Sequence, residues 1–219
     1  MVEYIMIGFQ KFAGYAKAYC ANFWNDNQGC IKLKFKLLYF GDLLSNPKKR
    51  SQHIAEIRMQ FHPQLKNLVT HSPWTHLQKY MLPNPTKSPV STRHIGGLDW
   101  NPIITPELKL LAELDIQMLH PEVVGLARTD IDNRIKTLLD GLRSPQNDHE
   151  AGENTPKNIG PIYTLLDDDH LVTKISINTS HLLDSGMLCK PTSDESVFLL
   201  IDVKVRVAEG NLENLPFMV

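Results

Sequence analysis

Cysteine is scarce in this chain: Cys20, Cys30 and Cys189 are the only three, an odd number with no CxxC pair. That excludes a disulfide framework and a zinc knuckle, and it fits a reducing, cytoplasmic setting. No apolar run approaches the ~20 residues a membrane-spanning helix needs, so no membrane is expected among the partners. The opening Ile5-Met6-Ile7-Gly8-Phe9 soon meets Lys11 and Lys17, and it lacks the continuous apolar core and cleavage site of a signal peptide. There is no GxSxG, Walker loop, dinucleotide fingerprint or HExxH. Nine histidines are scattered through the chain without an H-x-H pattern, and His170, beside Asp169, is the one candidate near the acidic run, against the plainer reading of a strand residue.

What is present is a globular composition, 42% hydrophobic and 21% charged, over 219 residues. That is enough for one sizeable domain. The net charge of −1 hides an asymmetry. Residues 1–110 carry 14 Lys or Arg against 6 Asp or Glu, whereas residues 111–219 carry 9 against 18. A basic half suits phosphate contacts and an acidic half suits divalent cations, unless the fold intermixes the two.

Periodicity divides the chain. Ile5, Phe9, Phe12, Ala16, Tyr19 and Phe23 recur at steps of three and four, as in an amphipathic helix. Residues 1–30 are thus either an appended helix or an extension from a misplaced start, and residues 31–219 form the main domain. Ile31, Leu33, Phe35, Leu37 and Tyr39 alternate with Lys32, Lys34 and Lys36, the period of a strand with lysines outward. Ile54, Ile57, Phe61, Leu65 and Leu68 trace a helix face, with Pro63 set to kink or split it. Residues 70–106, rich in proline and holding Gly96-Gly97, read as irregular. Strands follow at 112–118, about 170–178 and 197–207, with a helix from about 131 to Arg143 and an insertion-like loop at 144–161. The expected fold class is α+β: a single domain with one small mixed β-sheet packed by helices.

Two acidic segments carry the chemistry. In the first, Asp130 and Asp132 stand where a loop enters a helix, and Asp132, Lys136 and Asp140 follow at i, i+4 and i+8. Carboxylates that converge there repel unless a cation or proton is shared. The plainer reading is a helix cap, suited to Asp132 or Asn133, followed by a ladder of surface ion pairs. In the second, Asp167-Asp168-Asp169-His170 precedes a strand. Such a run is either an exposed acidic turn or a hard oxygen-donor set of the kind Mg²⁺ prefers.

The pair of segments, Asp130-x-Asp132-Asn133-x-x-Lys136-x-x-x-Asp140-Gly-Leu142 and the later Asp168-Asp169 before a strand, resembles the RusA family of Holliday junction resolvases. The resemblance implies a small homodimeric endonuclease, often of prophage origin, that nicks four-way DNA junctions with Mg²⁺ in recombination and repair. It maps the catalytic, metal-binding positions onto Asp130, Asp132 and Asp169, the functional lysine onto Lys136, and a supporting ligand onto Asp168. Asp140 maps onto a recurrent helix aspartate taken as structural. The spacing to Ile175-Ser176-Ile177 selects Asp168-Asp169 over Asp167-Asp168. The likeness covers about residues 31–207 and departs from the compact members in the long 144–161 loop.

Lys48, Lys49, Arg50, Arg58 and Arg134 are the expected DNA-backbone contacts, against the plainer reading of solvated or ion-paired charges. A homodimer matches the two-fold symmetry of a junction, with the apolar faces of strand 197–207 and helix 131–143 as material for its interface. The rival expectation is a non-catalytic junction-binding protein with a structural metal site.

Overall fold

A computed structural model describes residues 33–44, 50–87, 91–120, 131–152, 155–156, 159–183 and 195–218. The expectations for residues 1–30, Lys48, Lys49 and Asp130 lie outside these residues. The elements in chain order are β1 (Lys34–Asp42), α1 (Arg50–Leu68), β2 (Arg93–Ile95), β3 (Leu98–Ile104), β4 (Leu110–His120), α2 (Ile131–Leu142), α3 (Asp148–Ala151), β5 (Ile162–Leu166), β6 (Val172–His181) and β7 (Ser196–Val207). Single 3₁₀ turns cover Trp74–Tyr80, Asp169–Leu171 and Leu215–Phe217.

The architecture is α+β, but it holds two sheets where one was expected. The larger runs β1-β7-β4-β6 and the smaller β2-β3-β5. Alternation forces the larger sheet to hide one face. Leu110, Ala112, Leu114, Ile116 and Met118 of β4 are buried, as are Val197, Leu199, Ile201, Val203 and Val205 of β7 and Leu37 and Tyr39 of β1. β4 lies antiparallel to β7 and parallel to β6, so the sheet is mixed. On its outer face Lys36 pairs with Asp202, and Arg206 and Lys204 pair with Glu113.

The smaller sheet corrects the irregular reading of 70–106. Gly96 and Gly97, both at positive φ, form the two-residue turn between β2 and β3. Gly96 also receives α3: a Cβ there would lie 2.6 Å from the Cβ of Ala151, and its N–H donates to Asp148 Oδ1 at 2.8 Å. Pro102 sits within β3 beyond the end of the β2 pairing, where its missing N–H costs no ladder bond on that side.

Helix α1 runs unbroken through Pro63, because Ile57, Phe61 and Leu65 seat both halves in the same core. It crosses α2 closely: a Cβ on Gly141 would lie 2.4 Å from Ile57 Cγ2. The apolar stripe of α2 (Ile135, Leu138, Leu142) and the inner face of β7 are therefore consumed inside the chain, not offered to a second copy. No helix among the described residues is long and apolar enough to cross a membrane.

Candidate metal and DNA site

The aspartate run lies in the joint between the two sheets, because β5 belongs to the smaller and β6 to the larger. Three backbone and side-chain bonds pin it. Asp167 N–H donates to the Ile104 carbonyl at 2.9 Å, Gln146 Nε2 donates to the Asp167 carbonyl at 2.9 Å, and Ser144 N–H donates to the Leu166 carbonyl at 2.8 Å. The last bond stitches the end of α2 to the end of β5, beside an Arg143–Leu166 bridge.

The three carboxyls have different tasks. Asp167 takes Arg93 Nη2 at 2.7 Å, and the same nitrogen reaches Glu107 at 2.6 Å, so Asp167 is spent on an ion pair. Asp168 caps the 3₁₀ turn: its Oδ1 accepts the His170 N–H at 3.0 Å and contacts His170 Nδ1 at 2.6 Å. Asp169 is exposed, and the charge of the adjacent Asp168 acts on it.

Their ionisation splits accordingly. Partial burial, then the hydrogen bond and charge of Asp168, push Asp169 up, and Arg143 opposes the rise while Asp140 adds to it. For Asp168, partial burial pushes up but is outweighed by the hydrogen bonds from His170 and from Asp169, so the net direction is down. Two adjacent carboxylates repel each other, and a nearby divalent cation would relieve that repulsion.

Helix α2 presents Asp132, Lys136, Asp140 and Arg143 along one side at steps of four, four and three. The α2 charges that act on Asp169 are those of Arg143 and Asp140, at the C-terminal end. Asp132 is exposed in the first turn, about 12 Å along the axis from Asp140. Among the described residues no three His, Cys, Asp or Glu side chains gather closely enough to hold a metal ion. Within those residues, then, the structure brings together Asp168 and Asp169 but forms no three-ligand group with Asp132. The expected helix cap at Asp132 or Asn133 is displaced, since α2 begins at Ile131 and both residues lie inside its first turn.

Lys136 is exposed and makes no hydrogen bond or ion pair among the described residues. The expected ladder with Asp132 and Asp140 is not formed. Asp140 instead holds two guanidinium groups, Arg50 Nη2 on Oδ2 at 2.8 Å and Arg143 Nε and Nη2 on Oδ1 at 3.1 and 2.9 Å. Arg143 Nη1 also reaches Glu150 at 2.9 Å. The sequence signal for Arg143 was available, seven residues after Lys136 and three after Asp140, yet its contacts depend on the chain returning through α3.

Two of the expected DNA contacts are corrected. Arg58 is 1% exposed, and its guanidinium donates to the carbonyls of Arg143, Glu150 and Asp140 at 2.9, 2.6 and 2.9 Å. It closes the free carbonyls at the end of α2, stands 5.7 Å from the Trp100 ring, and burial pushes it down to about 10. Arg134 is fully buried and donates to Glu195 Oε2 at 2.8 Å, so it ties α2 to the start of β7. Helical spacing alone does not tell an inward-facing arginine from an outward one. Arg50, 42% exposed in its side chain, remains at the surface.

No protein-family model matches the chain, and no curated protein matches it.

Proposed function

We propose that this chain is a Mg²⁺-dependent, structure-specific endonuclease that hydrolyses phosphodiester bonds in branched DNA, with four-way Holliday junctions as substrate, and works as a homodimer. The observation that carries the reading is the Asp168–Asp169 pair, two adjacent carboxyls fixed at the joint of two sheets by the Asp167–Ile104 backbone bond and the His170–Asp168 cap. The donor set fits a hard cation, since its ligands are oxygen alone.

Asp168 and Asp169 would hold Mg²⁺ together with Asp130 and Asp132, the positions that the RusA-like motif assigns. The ion supplies neutralisation of phosphate charge and a lower pKa for a coordinated water. The chain's own groups would do the rest. His170 and the 3₁₀ turn hold Asp168 in place, Asp169 would offer a second carboxylate oxygen, and Lys136 would offer positive charge to the phosphate as negative charge develops on it.

The test is nicking of a synthetic four-way junction by the full chain, with and without Mg²⁺, alongside Asp169→Asn. Symmetric nicks that require both Mg²⁺ and Asp169 support the reading. Salt-dependent junction binding with no cleavage in any divalent metal selects the non-catalytic binding protein instead. Sedimentation of the chain with junction DNA gives the assembly, and a single copy per junction defeats the homodimer.

A further inference from the structure

Asp140 carries the expectation of a purely structural helix residue, but its contacts face the site. Both of its oxygens are committed to guanidinium groups, Oδ1 to Arg143 and Oδ2 to Arg50. A carboxylate so occupied is a poor metal ligand and a good anchor for arginine. Arg143 is bound four ways and 13% exposed in its side chain, so it is spent inside the network. Arg50 is different. It donates one proton from Nη1 to Thr137 Oγ1 at 3.3 Å and one from Nη2 to Asp140. Its Nε–H and one proton on each terminal nitrogen stay uncommitted among the described residues, and the side chain is 42% exposed. Thr137 is itself fixed, its hydroxyl donating to the Asn133 carbonyl at 3.0 Å.

Resting on the nuclease reading above, we infer that Asp140 is a positioning residue that holds Arg50 as a pre-aimed fork for one DNA phosphate at the C-terminal end of α2, the end that the Ser144–Leu166 bond fastens to β5. The geometry links the two. Arg143 joins Asp140 to the end of β5 through its bridge to Leu166, three residues before Asp169. Lys136 stands one turn away on the same side of α2, and among the described residues it makes no hydrogen bond or ion pair. An arginine held at two points loses less freedom on binding a phosphate than one that swings in water. Arg50 is thereby oriented before DNA arrives.

The experiment measures binding of a fluorescent four-way junction by anisotropy, in Ca²⁺ and across a salt series, for the full-length chain and its Arg50→Ala, Arg50→Lys, Asp140→Asn and doubly substituted Arg50→Ala/Asp140→Asn forms. Urea midpoints are taken in parallel. Arg50→Ala is expected to weaken binding about tenfold and to lower the salt slope by about one. Asp140→Asn is expected to give a comparable loss, and the double substitution no more than either alone, because both remove the same oriented fork. Arg50→Lys should recover the slope but not the affinity, since an ammonium cannot bridge Thr137 and Asp140 while facing a phosphate. Unchanged affinity and slope for Arg50→Ala, in a chain that binds the junction, overturns the inference and leaves the nuclease reading standing. Strictly additive losses from Arg50→Ala and Asp140→Asn likewise overturn it. A wild-type chain that does not bind the junction defeats the nuclease reading, and the inference with it.

Discussion

Gly141 of α2 lies directly against Ile57 of α1, so close that a methyl on the glycine would stand 2.4 Å from Ile57 Cγ2. Ile57 is 1% exposed and β-branched, so its side chain has little room to turn away. Gly141→Ala should therefore cost about 2 kcal/mol of stability from overpacking, although alanine favours helix by about 1 kcal/mol. Because Asp140 precedes the contact, junction affinity should fall with it. Urea denaturation checks the first effect, and Ile57→Ala in the same chain should recover part of the loss. A Gly141→Ala protein as stable as the parent would show that the helices separate freely.

The raised Asp169 and lowered Asp168 set a proton against the cation. As pH falls through the elevated Asp169 range, its carboxyl is protonated and metal affinity drops. As pH rises, the proton leaves and the site fills. Cleavage below saturating Mg²⁺ should thus climb with pH, and more Mg²⁺ should move the climb to lower pH. A pH–rate profile at two Mg²⁺ concentrations checks this. A profile that does not move with metal would separate Asp169 from the cation.

His62 gives a pH signature in stability. Its Nδ1 accepts the Tyr163 N–H at 2.9 Å, which requires a neutral ring, and burial, aided by Lys66, pushes it down to about 4. The unfolded ring titrates near 6.5. Between those values the unfolded chain binds more protons, so stability is full above 6.5 and is lost as pH falls toward 4. The loss from this residue between pH 7 and 4.5 should be on the order of 2 kcal/mol. His62→Asn, which keeps an acceptor but does not titrate, should remove that part of the slope in urea midpoints measured across the range. An unaltered slope would assign the acid sensitivity elsewhere.

Arg58 should behave as an interior residue. Arg58→Met leaves three carbonyls without their charged donor and should cost about 3 kcal/mol. The folded fraction should keep the salt dependence of DNA binding. A lower salt slope with intact stability would return Arg58 to the DNA surface.

The strands that alternate cleanly were legible from the sequence. β4 and β7 bury every second residue as their pattern requires, and β1 keeps Lys34 and Lys36 outside. The smaller sheet was not legible. Pro102 and the glycine pair argue locally against strand, and only tertiary pairing with Ile162–Leu166 overrides them. The family-like spacing put the pair at Asp168-Asp169, whereas the engagement of Asp167 by Arg93, a residue 74 positions away, could not be read from the run itself. Arg58 and Arg134 misled for the same reason. A charge invites a surface reading, and burial with matched acceptors is visible only once the chain has closed on itself.

The stitch between Ser144 and Leu166 has a consequence for how such a chain tolerates change. It fastens the end of α2 to the end of β5, so the aspartates after β5 take their position from α2 and from the pairing of β5 with β3, and not from the residues between α3 and β5. Duplications or deletions between α3 and β5 alter the separation of Asp132 and Asp169 along the polypeptide while leaving the contacts that fix the aspartates in place. The ruler for this site is therefore the helix, and counting along the chain from one acidic segment to the next measures only an ornament hung between two fixed hooks.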